Sequence, residues 1–393
     1  MVPPERTKAA NADTGPTPPG ARSSAGAPAR PNFRIFGLWR LTAAILIMIY
    51  HFAHHAAAPE APVAFLERLF PLLDMFFMMS GFLIMAHYRE MGVSVGGWLR
   101  FLAKRLSRLY PLHFITLSVF VAMALAVSAG LFRSQGAEYG RYAFDSLASN
   151  LLLLHAWGTE NELTFNYVSW SVSAEWFAYI LFPAALLLTR KAGLLALGAL
   201  TLATIAVLEI AGAHGAFGGD PWYDTRLFGA YRVLADFLVG MLLCSLVLRA
   251  RYRLASQAPA FLAMALAVAL MYATDAFYPV FAAMALAIYL AALVERNVPD
   301  ATRWSEPLMP VAAVSFGVYL WHPVVELFAY SLLWNRILNA PDALFWPFMV
   351  LPVIATIVVA LLSARHLEKP AAMFLEGLLL RGNGPRKPSF LHR

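Results

Sequence analysis

The stretch Ser169–Pro183, SWSVSAEWFAYILFP, runs directly into the apolar AALLLT of residues 184–189. Together they make a run of about 20 residues, long enough to cross a bilayer as a helix. Yet the run carries a carboxylate, Glu175. An ionisable group in hydrocarbon is expensive, so it needs a partner or a wet cavity. Reading this stretch as a membrane span fixes the class of fold, and asking what Glu175 meets leads to the site.

The remainder of the chain agrees with a span. Of 393 residues, 60% are hydrophobic and only 13% charged, unlike an ordinary soluble domain. Hydropathy places ten spans, at about 35–55, 65–87, 109–131, 169–189, 192–212, 228–248, 257–274, 276–294, 309–331 and 344–364. The fold expected is therefore an all-α membrane protein of about ten transmembrane helices. Residues 1–32, rich in Pro, Ala, Gly and Ser, read as a disordered tail, 33–370 as the membrane domain and 371–393 as a C-terminal tail. The first apolar run is long enough to stay as a span, so it is not read as a cleaved leader. In the longest outer loop, AFDSLASNLLLLHAW (residues 143–157) is too short to span and reads as a re-entrant or interfacial helix.

The net charge of +7 is not a nucleic-acid signal, because its distribution follows the spans. With the N-terminus inside, the outer segments hold only Arg68, Arg133, Arg141, Arg226 and Arg336 of the 30 Lys and Arg. Arg40 and Arg232 lie within spans, and all the others fall on the inner side. This positive-inside bias predicts both termini in the cytoplasm. The single cysteine, Cys244, excludes an internal disulfide and reads as a small buried apolar residue.

Intramembrane polar residues carry the functional signal. Arg40 and His51 are eleven residues apart on span one, on nearly one face and about 16 Å apart along the axis. His51 and His55 at i, i+4 lack a convincing third metal ligand, so no metal is expected. Asp74 lies deep in span two, where it can pair with Arg40 or His51 or take part in chemistry. Arg105 and Arg108 share a face just inside span three and suit phosphate oxygens, those of lipid or of a phosphorylated cytoplasmic ligand. No Walker-type glycine loop is present, which disfavours a nucleotide hydrolase. Ser171 and Glu175 share a face of span four. Counting from the outer edge puts Glu175 at the depth of His51, where the two would make an acid–base pair. Arg232 and Asp236, at i, i+4, are expected to neutralise each other. His322 and Glu326, also at i, i+4, line an outer cavity or form a polar helix–helix contact. Trp157, Trp222 and Tyr223 either stack on sugar rings or anchor the chain at the interface.

Five stretches in order resemble the membrane-bound acyltransferase-3 family: LWRLTAAILIMIYH with Arg40 and His51, LDMFFMMSGFLI with Asp74, KRLSRLYPLH with Arg105 and Arg108, WSVSAEWFAYILFP with Ser171 and Glu175, and SFGVYLWHPVV with Tyr319 and His322. YRVLADFLVGMLL is a weaker match, with Asp236 in its acidic position. Trp176 stands where the family often has a second acidic residue. The resemblance, to the standalone form of the family, implies an O-acyltransferase embedded in the cell inner membrane. It implies acyl-CoA, with acetyl-CoA expected, as cytoplasmic donor. A glycan or lipid-linked sugar is the implied acceptor. It makes His51 the catalytic histidine, with Glu175 beside it, and Arg40, Arg105 and Arg108 the holders of the CoA phosphates. Asp74, Ser171, Tyr319 and His322 would support the site or the substrate. The alternative from another class is a transporter or flippase for a lipid-linked sugar, which shares the spans and buried charges but consumes no acyl-CoA.

Overall fold

The computed structural model describes residues 33–131 and 142–380, which are helical and free of strands among the described residues. The expected N-terminal tail, the end of the C-terminal tail, Arg133 and Arg141 lie outside them. The principal helices are α1 (Arg34–Ala53), α2 (Leu72–Tyr88), α3 (Val95–Ser128), α4 (Trp170–Ala213), α5 (Gly229–Arg249), α6 (Ala258–Ala273), α7 (Phe277–Asn297), α8 (Ser315–Glu326), α9 (Phe345–Ser363) and α10 (Lys369–Leu379). Eight described helical stretches are long and apolar enough to cross a membrane, with α6 shorter.

Helix α4 is two spans. A straight helix of its 44 residues would be about 66 Å long. Gly193, at φ +81°, breaks it. No residue with a Cβ enters that backbone region cheaply. The two ends of α4 accordingly lie together. Trp170 packs where Gly229 opens α5. Gly212 meets Phe217, whose ring lies 5.4 Å from that of Phe228, the residue preceding α5. Counting α4 twice and adding α6 to the eight stretches gives the ten spans read from hydropathy.

Two further elements differ from the sequence reading. Helix α3 begins well before residue 109, because Ser94 caps it: the Ser94 hydroxyl accepts the Gly97 N–H at 3.1 Å. Arg105 and Arg108 thus project from the same rigid helix as the span. Residues 369–379, expected as mostly tail, form α10, which packs on α3.

The tightest pairing in the bundle is between α2 and α5. A Cβ on Gly81 would overlap the Phe237 carbonyl oxygen, and one on Gly240 would overlap the Met78 carbonyl oxygen. Helices in lipid associate through such close backbone approach rather than by expelling water. A two-pronged bridge crosses the same interface: Arg232 Nε donates to Asp74 Oδ1 at 2.7 Å and Nη2 to Oδ2 at 3.0 Å. Asp74 is therefore paired with neither Arg40 nor His51. The expected Arg232–Asp236 bridge is not formed either. The fork of Arg232 reaches across to the neighbouring helix, because only there does a carboxylate meet both its nitrogens. Asp236, fully buried, lies close to this pair.

The segment expected in the longest outer loop forms a 3-10 turn (Phe144–Ser146), the short helix Leu147–Leu151, and then turns. It is held down by side-chain bonds in place of continuous helix. Asn150 Nδ2 donates to Ser146 O at 2.9 Å, and the Ser173 hydroxyl donates to Leu153 O at 2.7 Å. The imidazole of His113, on α3, bonds Asn150 O at 2.9 Å. The turn Tyr167–Ser169 is anchored beside this segment: Asn166 Nδ2 donates to Leu320 O on α8 at 3.1 Å, and Ser169 Oγ meets His155 Nε2 at 3.1 Å.

Candidate active site

His51 sits in the last turn of α1, half-buried and surrounded by rings. The Tyr167 ring lies edge-on at 4.8 Å and 65°. The His322 ring stacks at 5.3 Å and 20°. Tyr50 lies edge-on at 5.0 Å. Among the described residues no side-chain hydrogen bond to the His51 imidazole is present. The carboxylate whose charge reaches this ring is Glu326. Its Oε2 accepts the Tyr167 hydroxyl at 2.7 Å, and its Oε1 meets His55 Nε2 at 2.9 Å.

Glu175 is elsewhere. Its Oε1 accepts the Tyr179 hydroxyl at 2.6 Å and the Ser80 hydroxyl. It lines a cavity of about 20 Å³ with Ser171, Phe76, Tyr319, Ala43 and Ala44. That volume holds about one water. Ala44 precedes His51 by seven residues, about 10 Å along the helix. The acid–base pair of His51 with Glu175 expected from depth is thus not formed. The physical reason is the turn that precedes α4: it places Tyr167, not Glu175, against His51. Glu175 follows Tyr167 by eight residues, about 12 Å deeper if helical. The charge of Glu175 acts instead on Arg40 and Tyr179.

Below Glu175 the arginines gather. The Arg40 guanidinium lies 4.4 Å over the Phe76 ring, with its Nε buried and unpartnered. Arg105 Nη2 donates to the Tyr88 hydroxyl at 2.6 Å, its guanidinium lies 5.9 Å from the Tyr179 ring, and its Nε is likewise unpartnered. Arg108 is exposed at the same end, and its charge reaches Arg40. Buried unsatisfied N–H donors are costly. Two of them on neighbouring arginines fit an anionic ligand, and the cluster suits phosphate oxygens.

Ser171 and Tyr319 join the two levels. The Tyr319 hydroxyl faces Ser171, and its ring lies 5.7 Å from His322. A continuous line of polar side chains therefore runs from His51 and His322, past Tyr319 and Ser171, to Glu175, Ser80 and Tyr179, and on to Arg40 and Arg105. Asp74, expected to support the site, stands off this line in its bridge to Arg232. No cluster of three or more metal-ligating side chains exists among the described residues. Trp222 is buried, its indole N–H bonded to Glu209 at 2.8 Å, and Tyr223 stacks on Phe277 at 4.1 Å. Both serve packing between the loop and its neighbouring helices.

Sequence reasoning weighed His55 only as a metal ligand, and it missed Tyr167, Ser80 and Tyr179. Tyr179 had a signal, its i, i+4 spacing from Glu175. The partners of Ser80, Tyr167 and His55 had none, since each lies on another element.

The architecture and this line define a multi-pass α-helical membrane protein with a polar site threading its bundle. The family model described as an acyltransferase domain matches residues 35–365, and the chain belongs to the acyltransferase-3 family. It is also similar to the acyltransferase MdmB of Streptomyces mycarofaciens, 29% identical over 121 residues. That match covers 30% of this chain and 29% of the relative. No solved structure matches.

Proposed function

We propose that the protein transfers an acyl group, acetyl in the first instance, from cytoplasmic acyl-CoA to a hydroxyl of an extracytoplasmic or lipid-linked glycan. It does so as a multi-pass protein of the inner membrane with both termini in the cytoplasm. The observation that carries this reading is the unbroken polar line between the arginine cluster and His51. Acyl-CoA supplies the acyl group as a thioester. Arg40, Arg105 and Arg108 bind its phosphates at the inner end, where their unpartnered donors and positive charge lie. The separation of about 16 Å between Arg40 and His51 suits a donor that is anionic at one end and reactive at the other.

His51 acts as general base. It removes the proton of the acceptor hydroxyl as that oxygen bonds to the thioester carbonyl carbon. The carbon–sulfur bond then breaks, and the imidazolium returns the proton to the departing thiolate. His322, stacked on His51, and Tyr319 shape the cavity at the reacting carbonyl. Glu175, held by Ser80 and Tyr179, forms the middle of the passage and offsets the positive charge below it. Asp74 supports the site from outside through its bridge to Arg232.

The test uses purified full-length protein in lipid vesicles with acetyl-CoA and cell-envelope glycan. The expected result is thiol release coupled to a 42 Da mass gain per acyl group on the glycan (about one acetyl in place of a proton), lost in His51→Ala. Glycan movement without thiol release would instead support the transporter reading. An acylated His51 peptide, trapped without acceptor, would show that the histidine carries the acyl group covalently.

A further inference from the structure

Among the described residues His51 is oriented by rings, so whatever fixes those rings fixes the base. Tyr167 is the one whose placement is held by a carboxylate. Its ring lies edge-on to His51 at 4.8 Å, and its hydroxyl donates to Glu326 Oε2 at 2.7 Å. The other oxygen of Glu326 meets His55 at 2.9 Å, four residues beyond His51. His55 is clamped in turn: its ring stacks on Tyr330 at 4.6 Å and 3°. One side chain at the end of α8 thus ties the end of α1 to the turn that opens α4. Those two segments carry His51 and the Tyr167 ring that packs on it.

We propose that Glu326 is a positioning residue for His51, acting through Tyr167. The inference rests on the acyl-transfer reading only for the role of His51. The geometry it invokes stands without it. The carboxylate sits at 12% exposure, where a hydrogen bond to an ionised group is worth more than in open water. With Glu326 in place, the Tyr167 ring cannot swing away, and the imidazole is confined between Tyr167 and His322. Without the bond, Tyr167 retains its bulk but not its angle. His51 then samples orientations in which neither nitrogen faces the passage. The cost falls on the near-attack geometry rather than on donor binding about 16 Å away.

The experiment measures carbethoxylation of His51 by diethyl pyrocarbonate in purified full-length protein, resolved by peptide mass spectrometry. The exposed His87, on α2, serves as internal reference. Tyr167→Phe and Glu326→Ala are each expected to raise the His51 rate threefold or more. Their double variant should match the single ones, because both cut one link. Glu326→Gln, which keeps two hydrogen-bonding heads, should restore the native rate. Where acetyl-CoA turnover is measured, the same variants should lower kcat at unchanged KM for acetyl-CoA. An unchanged His51 rate in Tyr167→Phe, or multiplying effects in the double variant, overturns the proposal. If Glu326→Ala does not fold, Tyr167→Phe and Glu326→Gln still decide it. A wild-type protein that turns over no acetyl-CoA defeats the acyl-transfer reading, while the labelling rates still decide whether Glu326 positions His51.

Discussion

The imidazoles of His51 and His322 lie 5.3 Å apart and 20° from parallel, brought together from the first span and from α8. His322 is fully buried, whereas His51 is only half-buried. Replacing His51 by Ala should therefore abolish acetyl-CoA turnover, a loss on the order of 10²–10⁴-fold, without loss of fold. Replacing His322 by Gln should lower kcat less. Thiol release in vesicles, with monodisperse elution as the fold control, checks both.

The bridge from Asp74 to Arg232 is buried at both ends, with side-chain exposures of 1% and 5%. Removing one partner leaves a charge unpaired in a low-dielectric interior. Asp74→Ala or Arg232→Met should each cost roughly 3–5 kcal/mol, and Asp74→Leu with Arg232→Met should recover part of it. Thermal unfolding in detergent reads the difference. Equal Tm values for the single and double variants would show that the pair contributes no specific stability.

Gly240 sets the spacing of α2 and α5, since a Cβ there meets the Met78 carbonyl oxygen and the Phe82 nitrogen. Backbone cannot yield as a flexible side chain does. Gly240→Ala should destabilise by about 1–3 kcal/mol or more. Gly198, on the second span of α4 with open space beside it, should accept Ala with little change. The comparison separates helix contact from a general intolerance of alanine.

Arg105 reaches the line at its arginine end and holds Tyr88. Arg105→Ala should raise KM for acetyl-CoA by about tenfold, the scale of one charge-assisted contact, with kcat less affected. Arg105→Lys should restore only part, because a point charge lacks the fork. Initial rates against donor concentration distinguish the two, and an unchanged KM would remove Arg105 from the donor site.

Burial and the facing His113 push the His155 imidazole down to about 3. The folded state therefore refuses a proton that the unfolded chain accepts at its ordinary value near 6.5. Stability from this group is complete above pH 6.5 and falls as pH drops below it, by roughly 1.4 kcal/mol per pH unit, until about pH 3. His155→Gln should flatten the acid side of the stability profile between pH 6.5 and 4. Unfolding midpoints across that range measure the slope.

What the sequence determined was set by solvent and by chain periodicity. Long apolar runs leave a helix as the only unpaired-group-free way through lipid, so the ten spans could be read from hydropathy. Residues on one helix, such as Arg40 with His51 or Ser171 with Glu175, share a face by geometry alone. Only the tertiary structure decided which faces meet. Arg232 ignored Asp236 on its own helix, because Asp74 across the Gly240 contact offered both oxygens to its fork. Glu175 lay away from His51, because Asn166 and Ser169 anchor the preceding turn to α8 and His155, and that turn sets Tyr167 against His51. Depth counted from hydropathy assumes that each span begins at the membrane edge. The site depends on where the chain between the spans chooses to fold.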